Sequence, residues 1–356
     1  MLAYYLLLGV PLLSAVLFRL SGRKTLARKR VNPTLIVFFS IFFLLIALRN
    51  YRIGSDTLGY KLEFARIGGL GLNNLFVGAE REFGFLVLTK LISFISPSFR
   101  LYLIVMSMLT VVPLAWYYQE ESEYPLLTIA LFVAVAPFSM YFSGVRQILA
   151  MSLGVIAWRM AKNRKLIWFL VIVFLAVMFH MSAFVLLLMY PLYRVRITSR
   201  WLFLVVPAIA LIYIFNKPIF NFLAEFLWKD YSGIESTGAF TVLMLLILFA
   251  VYSYVVPQAA LLDGDTIALR NSLLFSIALQ CFAPIHPLAM RLNYYYLLFI
   301  PILIPKIAVR SKPGLRKLVT VSVLVMMVGF AAYFIYNGYN GKDVLRIFPY
   351  ILLGTY

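Results

Sequence analysis

The stretch "LIWFLVIVFLAVMFHMSAFVLLLMYPLY" (166–193) is apolar almost throughout, with "KNRK" (162–165) before it and "RVRITSR" (194–200) after it. A helix needs about 20 apolar residues to cross the hydrocarbon of a bilayer. Cytoplasmic loops of membrane proteins carry an excess of Lys and Arg, so both flanks belong on one side. The stretch must therefore go out and come back, with His180 near its turn. Each arm is about 14 residues, which calls for tilt or local thinning of the bilayer.

The rest of the chain repeats the pattern. It is 63% hydrophobic and 13% charged, with a mean hydropathy of +0.95, outside the range of a soluble domain. Period-two alternation is absent, which argues against a transmembrane barrel. The predicted fold class is all-α: a polytopic transmembrane helical bundle forming a single integral membrane domain over 1–356. The formal charge of +19 does not indicate nucleic acid. Its cations gather in short links between apolar runs, at 19–30, 162–165, 194–200 and 310–317, and so record topology. A lone cysteine, Cys281, excludes a disulfide within the chain and a thiolate metal site. The opening segment "LAYYLLLGVPLLSAVLFRL" lacks a basic leader and a small-residue cleavage site, so it is expected to be retained as a first helix.

With the four basic clusters cytoplasmic, the apolar runs order themselves. Crossings are expected near 2–20, 33–48, 101–118, 124–142 and 145–161, then the two arms of 166–193. The remainder fall near 201–215, 240–257, 271–284, 292–309 and 318–336. That makes about twelve crossings, with both termini outside. The even parity required between 28–30 and 162–165 excludes "FGFLVLTKLISFIS" (83–96) from the count. That run, with Glu82 at its mouth and Lys90 midway, is expected to be re-entrant or interfacial.

This placement sends an unusual set of polar residues to the outer side. Arg49, Arg52 and Asp56 follow the second run, and Arg146 lies at the outer end of the run ending at "KNRK". His180, His286 and Arg291 lie at outer turns. Arginine outside runs against the charge bias, and an inward-facing one is costly unless paired. Its planar fork suits phosphate, so several around one periplasmic-facing cavity would suit a lipid diphosphate. A nearby histidine could be a general base or a donor to phosphate oxygen. There is no Walker A loop and no carboxylate cluster with cation spacing, so neither metal nor cofactor is called for. Plainer roles stand beside these. Arg49 and Arg52 could cap a helix dipole or snorkel, Arg52 could pair only with Asp56, and His180 could be an interhelical hydrogen-bonder. The prolines around His286 favour a structural role, and Lys90 and Glu82 could simply snorkel or be paired.

In order, "RIGSDTLGYKLEF", "EREFGF" (80–85), "SGVRQILAMSL", "FHMSAFVLLLMYPL" and "RLNYYYLLFIPILIP" make the chain resemble the EpsG-like group of Wzy-type polysaccharide polymerases. The resemblance covers about 49–305. Ser55 stands where the family often has Thr, and Gly59 precedes Tyr60. The resemblance implies a bacterial inner-membrane glycosyltransferase acting at the periplasmic face on O-antigen, capsule or exopolysaccharide. Its partners would be donor and acceptor oligosaccharides linked to undecaprenyl diphosphate, the bilayer itself, and a chain-length regulator. It also implies site roles. Arg146 and Arg291 would stabilise the diphosphate, with Arg49 and Arg52 as further phosphate ligands. His180 would act on the acceptor hydroxyl, with Glu82 a second base. Asp56 would orient Arg52 or bind a sugar hydroxyl, and Tyr60, Gln147 and Tyr295 would line the substrate. A lipid-linked sugar flippase and a membrane O-acyltransferase are the competing functions. A flippase should carry polar residues through the full depth and usually repeat symmetry, and an acyltransferase needs a site reached from the cytoplasm.

Overall fold

A computed structural model describes residues 31–78, 81–135, 137–227, 239–255 and 263–351, together with residues 7, 9, 10 and 13. The expected first helix and first basic cluster lie almost wholly outside these residues, as do parts of the 216–238 and 258–270 links and the last five residues. All regular elements among the described residues are helical.

The first, α1 (Pro33–Ala47), starts at Asn32, whose side chain accepts from Thr34 N, and has proline in its first turn. After a short loop that carries Arg52 and Asp56 comes a helix, α2 (Thr57–Gly69), where the sequence gives no crossing. Then come α3 (Phe83–Ile95) and the long α4 (Phe99–Glu121). The apolar run at 124–142 is not one helix. It divides into α5 (Pro125–Ala134) and a 3₁₀ turn, Phe138–Phe142, with Pro137 between them. Proline lacks the N–H an α-helix needs and restricts the residue before it. After α6 (Val145–Lys162) and α7 (Leu166–Phe179), His180 is extended at φ −159° and ψ 119°. The chain returns as a 3₁₀ helix, Met181–Leu188, and then α8 (Met189–Arg194). The expected break at His180 is present.

The later helices are α9 (Leu202–Ile214), α10 (Asn216–Leu227) and α11 (Ala239–Val255). They are followed by α12 (Gly264–Gln280), α13 (Pro287–Leu297), α14 (Ile300–Arg310) and α15 (Pro313–Tyr339). The helix lengths do not by themselves establish the expected count of about twelve crossings. Among the described residues only α4 and α15 are individually long and apolar enough to span a membrane. The number rises to four if two bent pairs each count as one span. The 181–194 segment bends by 116° into the 199–214 segment, and α13 bends by 48° into α14. Other apolar helices run 10–17 residues, short of the roughly 20 a straight crossing uses.

Two opposite ends are nonetheless well defined. At one, Lys162 pairs with Glu121 at 2.7 Å and with Asp265 at 2.6 Å, Lys306 with Asp263 at 3.0 Å, and Arg310 with Glu123. Arg194 Nη2 donates to Ala161 O at 2.5 Å, and Gln119 Nε2 to Asn32 O at 3.4 Å. The end of α4, the end of α6, the start of α12 and the end of α14 thus meet, beside three of the expected basic links. The opposite end holds the start of α4, the start of α6 and the turn at His180. Helix α3 leaves from that same end and finishes four residues before α4 begins there, so it does not reach the ion-paired end. Many large apolar side chains face outward, among them Phe94, Met108, Trp168, Phe203, Leu248 and Val325, as expected where the surroundings are lipid. With the helix content, this gives an α-helical membrane protein.

Candidate functional site

The segment before α6 is fastened to the loop before α2. Gly54 has φ +89°, and a Cβ there would lie 1.8 Å from Phe142 O, so only glycine fits the approach. Thr57 Oγ1 donates to Phe142 O at 3.2 Å, Asp56 N donates to Ser143 Oγ at 3.2 Å, and Ser55 Oγ lies 2.8 Å from Ser143 Oγ. Three residues beyond Ser143, Arg146 leaves the first turn of α6. Its guanidinium lies 5.8 Å from the centre of the Phe85 ring, and the buried Tyr60 hydroxyl faces it.

Helix α3 brings the counter-charge. Gly84 allows it to seat against α7, since a Cβ there would be 2.9 Å from Met178 O. Glu82, immediately before α3, then uses both carboxylate oxygens. Oε2 takes a charge-assisted hydrogen bond from Arg146 Nη1, and Oε1 lies 3.1 Å from His180 Nδ1. Met181 N also donates to Oε1 at 3.4 Å. All three side chains are mostly buried, at 14% relative exposure for Glu82 and 17% for Arg146 and His180. Burial pushes the Glu82 pKa up. The hydrogen bond from His180 and the Arg146 charge outweigh it and hold the pKa at about 2. Glu82 is therefore ionised at neutral pH. Its bond fixes the imidazole with Nδ1 as donor, leaving Nε2 as the basic nitrogen. One carboxylate thus orients a histidine and a guanidinium together. Arg146 Nε is buried without a hydrogen-bond partner among the described residues.

A third wall comes from α13. Gln147 Nε2 donates to Arg291 O at 2.7 Å, so Arg291 sits beside the start of α6 with its own side chain exposed. Tyr295, one turn further, is buried and lies 3.0 Å from Ser182 Oγ, in the 3₁₀ turn after His180. His286 caps α13 through Leu288 N at 3.0 Å, a structural use of that histidine.

Of the residues singled out in the sequence, Tyr60, Glu82, Arg146, Gln147 and His180 converge, with Arg291 alongside and Tyr295 behind. Arg52 and Asp56 sit on the loop fastened to Ser143, both exposed. They form no ion pair with each other: Asp56 Oδ1 accepts from Ser55 Oγ at 3.1 Å, and Arg52 lies near the Tyr51 ring. Arg49 is 1% exposed, donates to Ile46 O at 2.6 Å and lines a small cavity with Ser107, Thr110, Tyr141 and Val145, the residue before Arg146. Gly54, Gly84, Phe85 and Ser143 stood within the quoted motifs but had been given no role. Their part is close approach and support, for which a sequence carries no chemical signal.

No curated protein and no solved structure matches this chain. A profile of the EpsG family matches residues 33–352, which takes in every element from α1 to α15 and each residue of the cluster. The chain belongs to the EpsG family, a group of Wzy-like polysaccharide polymerases.

Proposed function

We propose that the chain joins oligosaccharide repeat units carried on undecaprenyl diphosphate, at the periplasmic face of the bacterial inner membrane and without a metal ion. The observation that carries this reading is the single carboxylate of Glu82 holding both Arg146 and His180. The acceptor sugar hydroxyl loses its proton to His180 Nε2 as its oxygen bonds to the anomeric carbon of the donor. The bond from that carbon to the diphosphate oxygen breaks, and the departing lipid diphosphate takes up the electron pair. Arg146 and Arg291 stabilise the charge that develops there, the largest catalytic opportunity in such a step. Arg52 binds phosphate at the rim. Tyr60 and Asp56 shape the sugar side.

Removing the gene should leave lipid-linked surface glycan as single units rather than a ladder, and the wild-type chain should restore the ladder. Arg146→Ala should not restore it. Arg146→Lys keeps the charge but loses the fork, so it should restore a short, faint ladder. His180→Ala should cost about 10²–10⁴-fold in polymer formed. A full ladder from folded, membrane-inserted Arg146→Ala would remove the diphosphate role assigned to it.

A further inference from the structure

The loop from Asn50 to Thr57 is held from two sides, and only one of them is the α6 start. Three of its backbone donors point the other way, toward the segment that follows α15. Gly54 N donates to Arg346 O at 3.0 Å, Ser55 N to Leu345 O at 2.9 Å, and Asn50 N to Ile351 O at 2.8 Å. Tyr350 Oη donates to Leu45 O at 2.8 Å, next to the end of α1. This C-terminal strap has a turn built around one side chain. Asp343 Oδ1 accepts from Leu345 N at 3.1 Å, and Oδ2 accepts from Ile347 N at 2.7 Å and Phe348 N at 2.9 Å. Arg346 N donates to Asp343 O at 3.0 Å. The turn places Arg346 at φ +51°, a conformation a non-glycine residue keeps only where its surroundings impose it. Beyond it, Ile347 and Phe348 are buried, and Phe348 packs so closely on Gly338 that a Cβ there would lie 2.3 Å from its ring.

We infer that this strap is a positioning element for the Arg146 site, and that Asp343 is the residue that organises it. The chain of contacts is continuous. The Asp343 carboxylate folds the turn, and the Leu345 and Arg346 carbonyls hold the Gly54 and Ser55 amides. Ser55, Asp56 and Thr57 then hold Phe142 and Ser143, from which α6 delivers Arg146 and Gln147. Asp343 touches no reacting group; it acts through the loop. The inference rests on the proposed function for its activity readout, while its structural readout stands alone.

Two variants of the full-length protein test it, each put back into a strain lacking the gene and each purified for amide hydrogen exchange. Asp343→Ala should raise exchange over 50–57 by about tenfold or more, with 264–310 as protected as in the wild type. It should cut polymer about ten- to hundredfold, the usual result of displacing a catalytic group by an ångström or so. Asp343→Asn keeps one acceptor oxygen and should recover part of both. If Asp343→Ala does not fold, Asp343→Asn alone should show the smaller change in the same direction. Wild-type exchange over 50–57, or loosening spread evenly along the chain, would overturn the inference. A full ladder from Asp343→Ala would also overturn it. Arg146→Ala separates the two ideas, because it should abolish the ladder while leaving exchange over 50–57 unchanged. A ladder there would sink the proposed function and leave the exchange result to decide on the strap.

Discussion

Glu82 is the residue on which the candidate site turns. A carboxylate this buried would ordinarily prefer to be neutral, yet two donors from different helices keep it charged down to about pH 2. Its folded pKa is depressed from the usual 4.5. The stability it contributes is therefore fully present above about pH 4.5 and is lost as pH falls toward 2. Thermal unfolding in detergent should show Glu82→Gln less stable than the wild type at pH 5. The gap should narrow steadily below that. A gap unchanged at pH 3 would mean the carboxylate is not held ionised by these partners. Arg146 and His180 were legible in the sequence because an arginine opening an apolar run and a histidine at a turn need explaining. Their sharing of Glu82 was not, since 64 and 98 residues separate it from them, and no local pattern encodes so distant a pairing.

At the scale of elements, Lys90 shows how a charge within an apolar run is reconciled with burial. It is 5% exposed, and its ammonium donates to Ile67 O at 3.2 Å, Gly68 O at 3.0 Å and Leu70 O at 2.7 Å. These are carbonyls at the C-terminal end of α2, where a cation also meets the negative end of the helix dipole. Lys90→Met should fit the space but strand those carbonyls, costing about 2–3 kcal/mol. Hydrogen exchange should rise in 57–70 before it rises in α4; equal loss in both helices would mean that Lys90 does not act as a cap. The sequence pointed to a polar partner for Lys90 but not to a helix end, because nothing in it marks α2 strongly as a helix. Its apolar stripe (Tyr60, Phe64, Ile67) is brief and interrupted by charge. The opposite error befell 124–142 and 292–309. Pro137 marked the first break in the sequence itself, whereas a helix apolar on every side has no face to show where it bends, and the break at 298–299 became visible only in three dimensions.

Across the whole molecule, the two polar ends differ in kind. One gathers the ion pairs of Lys162, Lys306 and Arg310; the other is the Glu82 cluster with exposed Arg52 and Arg291. If the proposed orientation holds, single cysteines at 164 and 312 should resist a membrane-impermeant thiol reagent in intact inner-membrane-exposed cells, and cysteines at 52 and 291 should react. These variants are compared in a Cys281→Ser background. The reverse labelling would turn the molecule over and remove the periplasmic polymerase reading, whatever the activity of Arg146 variants.

The sequence alone determined the solvent and the class. Apolar runs too long and too frequent for water demand lipid and helices, and the basic links sort the ends of those helices onto one side. Five short motifs in order also carried the family. Tertiary structure decided which polar residues became one site and which did not. Arg49 and Arg52 stand three residues apart, yet Arg49 is buried at the end of α1 while Arg52 stays exposed on the fastened loop. The physical reason is that hydrophobic burial is non-directional and can be read as composition. A guanidinium's partner is set by distance and angle, and those exist only once α3, α6, α7 and α13 have packed.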